Sequence, residues 1–139
     1  MSEIKFATIG TSKITKTFLS AASNVPEFKL EAVYSRNIKN AIEFGTPYNV
    51  TKFYDSLKAL AEDKTIDAVY IASPNAFHYS QAIQMMKAGK PVLCEKSLAS
   101  NKKEAEEMFR TATENNVILL EAMRPVFDPG MDAVKASLN

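Results

Sequence analysis

Residues 70–97 read YIASPNAFHYSQAIQMMKAGKPVLCEKS, and this stretch decides the fold. The apolar run Ala68-Val69-Tyr70-Ile71-Ala72 leads into it with the length and composition of a buried strand. Ser73-Pro74-Asn75 breaks that run. Tyr79, Ala82, Ile83 and Met86 then fall at i, i+3, i+4 and i+7, one face of a helix. Gly89 stands where a left-handed residue closes a helix, and a second apolar run, Pro91-Val92-Leu93-Cys94, ends in Glu95-Lys96. The pattern is a β-α-β unit with polar residues at the carboxyl end of each strand. Open parallel sheets bind their ligands at that edge.

The same alternation extends in both directions. Ile4 to Gly10 reads as a first strand entering a turn. Ile14, Phe18, Ala21, Ala22 and Val25 make a helical stripe that closes before Pro26. Lys29 to Tyr34 is a second strand, and Ile38 to Phe44 a helix ended by Gly45. Val50 to Tyr54 is a short strand. Leu57, Leu60 and Ala61 mark a short helix capped by Asp55 or Ser56. Beyond residue 97, Ser100 reads as an N-cap, and Lys103-Glu104 opens a helix with Ala105, Met108, Phe109 and Ala112 inward. Asn115-Asn116 turns the chain into a sixth strand, Val117 to Leu120, and a last helix from about Gly130 presents Met131, Val134 and Leu138. Crossovers of this length predict an α/β fold with a parallel sheet and helices on both faces.

Composition narrows the function. A chain of 139 residues suits one domain, and a net charge of +1 argues against nucleic acid or an anionic membrane as the main partner. One cysteine excludes an internal disulfide and points to a reducing compartment. No apolar run approaches the roughly 18 residues of a membrane span, and no secretory segment precedes Ile4, so a cytoplasmic location is expected. No Cys/His cluster offers a metal site.

Pro74-Asn75-Ala76-Phe77-His78 and Ala88-Gly89-Lys90-Pro91-Val92-Leu93-Cys94-Glu95-Lys96-Ser97 together resemble the signature of the Gfo/Idh/MocA dehydrogenases, named for glucose-fructose oxidoreductase and inositol dehydrogenase. That signature reads P-N-x-x-H, then A-G-K-x-V-L-C-E-K-P, and Ser97 in place of its proline is the one departure. The resemblance runs over essentially all of the chain. It implies a Rossmann-type doubly wound sheet of six strands in the order 3-2-1-4-5-6. It also implies an NAD(P)-binding domain over residues 1–122, with residues 123–139 beginning the connection to a C-terminal substrate domain that the chain is expected to lack.

The candidate site is read from both sources. Gly10-Thr11-Ser12-Lys13-Ile14-Thr15 lies where a dinucleotide fingerprint G-x-G-x-x-G/A belongs, with Ser12 and Thr15 at its second and third glycines. A helix N-terminus there still suits an anion, and Ser12 and Lys13 add side-chain donors. After the second strand come Ser35 and Arg36 rather than the Asp or Glu that accepts from the ribose and repels a 2′-phosphate. Arginine suits phosphate and stacks on adenine, so NADP is preferred and NAD stands second. A solvated surface arginine is the plain alternative.

By the resemblance, Ser73, Pro74 and Asn75 line the nicotinamide-ribose side of the groove. His78 is a structural residue or a phosphate neighbour rather than a catalyst. Glu95 contacts ribose, and Lys96 stands beside the nicotinamide, where it holds the substrate oxygen and helps to move its proton. A strand-end ion pair between the two is the alternative. Arg124 reaches the cofactor or pairs with Asp128.

Two functions follow. In the first, the chain is the nucleotide domain of a dehydrogenase acting on a sugar, polyol or related alcohol. In the second, it is a dinucleotide-binding or sensor module without chemistry. Family members complete the site with a histidine from the second domain, and no histidine follows Lys96. Cofactor binding without turnover is therefore expected of this chain alone. The bare surface around Met123, Val126, Phe127 and the last helix predicts a homodimer or a frayed tail.

Overall fold

The computed structural model describes residues 2–123 and 128–138. Strands β1 (Ile4–Ile9), β2 (Phe28–Tyr34), β3 (Lys52–Tyr54), β4 (Ala68–Ile71), β5 (Val92–Glu95) and β6 (Leu119–Ala122) form one sheet in the order β3-β2-β1-β4-β5-β6. Every adjacent pair is parallel. The crossovers carry α1 (Lys13–Ala22), α2 (Ile38–Gly45), α3 (Leu57–Glu62), α4 (His78–Lys87) and α5 (Lys102–Glu114), and α6 (Pro129–Ser137) follows β6. This is the expected Rossmann-type sheet, and its strand order reverses between β1 and β4.

Alternate strand residues build a core on each side of the sheet. Ile9, Val69, Ile71, Val92 and Cys94 pack with Leu60, Met85, Met86 and Met108 of α3, α4 and α5. Phe6, Val33 and Tyr70 face the opposite way, against Leu19 of α1 and Phe44 of α2. Two covered faces explain why the strands read as unbroken apolar runs. Each large apolar side chain so buried contributes about 1.5–3 kcal/mol.

Several local expectations are corrected. In α5 the buried residues are Met108, Thr111 and Ala112, while Phe109 is 51% exposed. The stripe at i, i+3, i+4 runs through Met108, and Phe109 lies about 100° around the helix from it. In α4 the buried face runs through His78, Gln81, Ala82, Met85 and Met86, leaving Tyr79 and Ile83 half-buried. The α5 cap is Asn101, not Ser100: Asn101 Oδ1 accepts from Glu104 N (2.9 Å), and Glu104 Oε2 accepts from Ser100 N (3.0 Å). Strand β6 starts at Leu119 because Val117 N–H donates to Ala112 O (3.0 Å) and still closes α5. Gly45 is a helical residue whose role is close packing, since a Cβ there would lie 2.7 Å from the Phe53 ring. Gly89, with φ +81°, is left-handed as expected.

A buried lysine holds the two ends of the organising unit together. Lys90 Nζ donates to Asp63 O (2.8 Å) and Ile66 O (2.9 Å), which ties the turn before β5 to the loop before β4. Burial pushes the Lys90 pKa down, and these two carbonyls satisfy the ammonium.

Candidate functional site

Strand β1 delivers Gly10 to the carboxyl edge of the sheet, between β2 and β4. Gly10 N–H donates to Tyr34 O (3.2 Å), and Ala72 N–H donates to Ile9 O (2.8 Å), so this exit is pinned to both neighbours. Gly10 has φ +114°, and a Cβ there would lie 2.6 Å from Ala72 O. Only glycine fits. Thr15 is fully buried behind the turn, and its hydroxyl donates to Gly10 O (3.4 Å). It occupies the contact where a small third fingerprint residue lets helix meet strand. Ser12 takes the N-cap position of α1, but its side chain makes no capping hydrogen bond. The first-turn N–H donors of α1 are left open, at the positive end of the helix. Those donors fit the diphosphate of a dinucleotide.

On one side of this turn lies a cleft of about 240 Å³, walled by Gly10, Thr11, Ser12, Ser35, Arg36, Ser73 and Pro74, with Phe77 and Gln81. Seven residues singled out from the sequence thus meet in one place. Ser35 N–H donates to Tyr54 O (3.0 Å), and Ser35 Oγ accepts from Asn37 N (3.3 Å). The Arg36 guanidinium lies 4.8 Å from the centroid of the Phe77 ring. Asn75 opens the 3-10 turn Asn75–Phe77 and is exposed, outside the walls of that cleft.

On the other side, at the end of β5, a second cleft of about 540 Å³ is walled by Ile14, Glu95, Lys96, Ala122 and Met131 among others. The first turn of α1 therefore stands between two clefts, with Ser12 facing one and Ile14 the other. Lys96 is exposed, and the Lys96–Ser97 peptide bond is cis. Glu95 Oε1 accepts from the Tyr70 hydroxyl (2.7 Å). Among the described residues, the Glu95–Lys96 ion pair is not formed. Burial first, and then Glu95, hold the Tyr70 hydroxyl well above its usual pKa, so Tyr70 stays a donor. The Lys96 loop is fastened from two directions. His78 is 0% exposed, and its ring nitrogens lie 2.8 Å from Ser97 O and 2.7 Å from Ser73 O. Leu98 N–H donates to Glu121 Oε2 (2.7 Å). His78 thus ties together the exits of β4 and β5 and offers no surface to a ligand. Cys94 is buried, and burial pushes its thiol up to about 12, which leaves it inert.

The profile of the family described as "Oxidoreductase family, NAD-binding Rossmann fold" matches residues 4–123. The chain belongs to the Gfo/Idh/MocA oxidoreductases. It is 47% identical over 136 residues to scyllo-inositol 2-dehydrogenase (NADP(+)) IolU of Bacillus subtilis (strain 168), a match covering 98% of this chain and 42% of that protein. It is 31% identical to trans-1,2-dihydrobenzene-1,2-diol dehydrogenase of Xenopus tropicalis, covering 97% and 42%. Among solved structures, a 3-ketoreductase from Actinomadura kijaniata in complex with TDP-benzene and NADP superposes with a TM-score of 0.91 at 28% identity, covering 99% of this chain and 43% of that one. The chain spans about two-fifths of the length of these relatives.

In this Gfo/Idh/MocA chain, the site also holds residues that the sequence did not disclose. Phe77 fills a wildcard position of P-N-x-x-H, and nothing local marks it as the seat of Arg36. Gln81 is buried and accepts from the Ser73 hydroxyl. A glutamine inside an apolar helical stripe was the available signal. Tyr70 reads as part of an apolar strand and Glu121 lies just past the predicted sixth strand, yet they hold Glu95 and the Lys96 loop. Arg124 lies outside the described residues. Among those residues, no group of three or more His, Cys, Asp or Glu side chains could hold a metal, and no helix is long and apolar enough to cross a membrane.

Proposed function

We propose that these residues form the nucleotide-binding half of an oxidoreductase that moves hydride between a nicotinamide dinucleotide and a sugar, polyol or related alcohol. One observation carries this reading: an uncapped helix N-terminus stands between two clefts, and the far cleft ends on an exposed lysine. The dinucleotide, when bound, supplies the hydride site. The open donors of α1 hold its diphosphate, with Gly10 to Ser12 on the adenosine side and Ile14 on the other. Lys96 is the candidate catalytic residue. In the reducing direction its ammonium hydrogen-bonds the substrate carbonyl oxygen and gives it a proton. In the oxidising direction the amine takes the hydroxyl proton as the carbonyl forms. Residues 123–139 lead from this domain toward the part that chooses the substrate.

NADP is the preferred cofactor. Ser35 leaves no carboxylate to repel a 2′-phosphate, and Arg36 offers it a planar fork. The NADP(+) in the name of the Bacillus relative and the NADP in the Actinomadura structure support this choice. The second reading, a binding module without chemistry, draws on His78. It is the only histidine in the sequence, and its burial removes it as an acid or base beside Lys96. This chain alone accordingly holds cofactor without turnover. The test is a fluorescence titration with NADPH and NADH. NADPH is expected to bind about ten-fold tighter, the scale of one charge-assisted contact. Tighter NADH binding overturns the preference, and binding of neither overturns the reading.

A further inference from the structure

We propose that Phe77 is a positioning residue for cofactor choice, seating Arg36 so that its guanidinium reads a 2′-phosphate. The proposal rests on the dinucleotide reading above and goes one step past it. Arg36 follows β2 and Phe77 ends the 3-10 turn after β4, so the two reach each other across the adenosine-side cleft. Their 4.8 Å separation lies inside the reach of about 6 Å for a cation over an aromatic face. Arg36 is exposed, and among the described residues its N–H donors meet no carboxylate.

The geometry separates two uses of one group. A guanidinium seated over a ring engages through its face, and a phosphate engages the N–H donors along its edge. An exposed arginine without such a seat spreads over many rotamers and must be ordered when the ligand arrives. Phe77 supplies that order in advance. Ser35, held by Tyr54 O and Asn37 N, sets a hydroxyl beside the same point. NAD carries only a 2′-hydroxyl there, so the seat that Phe77 gives Arg36 favours NADP over NAD.

The test compares wild type, Phe77→Leu, Phe77→Tyr, Arg36→Ala and the double variant F77L/R36A, with NADPH and NADH as probes. Phe77→Leu is expected to weaken NADPH about three- to five-fold, the scale of an exposed cation–π contact, and to leave NADH within about two-fold. Phe77→Tyr keeps both affinities, and Phe77→Leu has no further effect on NADPH once Arg36 is alanine. Equal weakening of both cofactors by Phe77→Leu overturns the proposal, because it makes Phe77 an adenine contact or a fold residue. So does an unchanged NADPH-to-NADH ratio. Wild type that binds neither dinucleotide sinks the parent reading instead. Should the leucine variant not fold, the NMR order parameter of the Arg36 Nε–H bond in wild type decides. An ordered bond is expected, and a freely mobile one overturns the proposal.

Discussion

Asp63 shows how far a single residue can depart from what its neighbours in sequence suggest. Its carboxylate accepts from the Tyr54 hydroxyl (2.6 Å), Thr65 N (2.8 Å) and the Thr65 hydroxyl (2.7 Å), and it faces Lys52 Nζ at 3.5 Å. Burial alone would raise its pKa. The hydrogen bonds from Tyr54 and Thr65, together with the Lys52 charge, outweigh that and hold the carboxyl well below the usual carboxylate range. A depressed folded pKa stabilises the fold above the unfolded value of about 3.9, and the gain is lost as pH falls. Asp63→Asn should therefore cost about 1–2 kcal/mol in urea unfolding at pH 7, with the gap to wild type shrinking below about pH 4. A gap as large at pH 3 as at pH 7 rejects the assignment. Single residues were legible where part of the cause is local: the turn after β1 gives Gly10 its φ of +114°. They were not legible where the partner is distant. His78 was marked by its motif, yet its role comes from Ser73 and Ser97 carbonyls that only the folded chain brings to its ring.

Elements were legible in kind and order, because the periods of helix and strand are written into side-chain spacing. Their ends were not, because an end depends on which of two adjacent polar residues finds a partner. Ser100 and Asn101 both suit an N-cap, and the structure chooses Asn101 because Glu104 turns back to the Ser100 N–H. That reciprocal pair predicts an asymmetry. Asn101→Ala should cost about 1 kcal/mol of stability, whereas Ser100→Ala, which keeps the N–H that Glu104 uses, should stay within about 0.5 kcal/mol. Thermal or urea melts of the two variants check it, and the opposite order would restore the cap read from sequence. The same logic explains the rotated face of α5. A hydrophobicity pattern counts Phe109 as inward, but packing selects the stripe through Met108 and leaves Phe109 in solvent.

For the molecule as a whole, the strand order was legible and the state of its surface was not. Unbroken apolar strands imply cover on both faces of the sheet, yet β6 points Leu119 inward and leaves Leu120 56% exposed, and Ile118 just before the strand is 63% exposed. With Phe18, Phe28, Tyr70 and Leu93 they wall an apolar groove of about 220 Å³ on the α1 side of the sheet. The sequence had pointed to Met123, Val126 and Phe127 for bare apolar surface. Met123 is exposed, and Val126 and Phe127 lie outside the described residues. A contiguous apolar patch of this kind tends to find cover, and cover by a second copy of the chain can be tested directly. Light scattering coupled to size exclusion should then show a mass that rises with concentration above that of the monomer. Leu120→Lys should return it to the monomer while moving stability by no more than about 0.5 kcal/mol, because Leu120 is already more exposed than buried. A monomer at every concentration, or association that Leu120→Lys leaves intact, would show that this face is stable in water and that self-association, where present, runs through another surface.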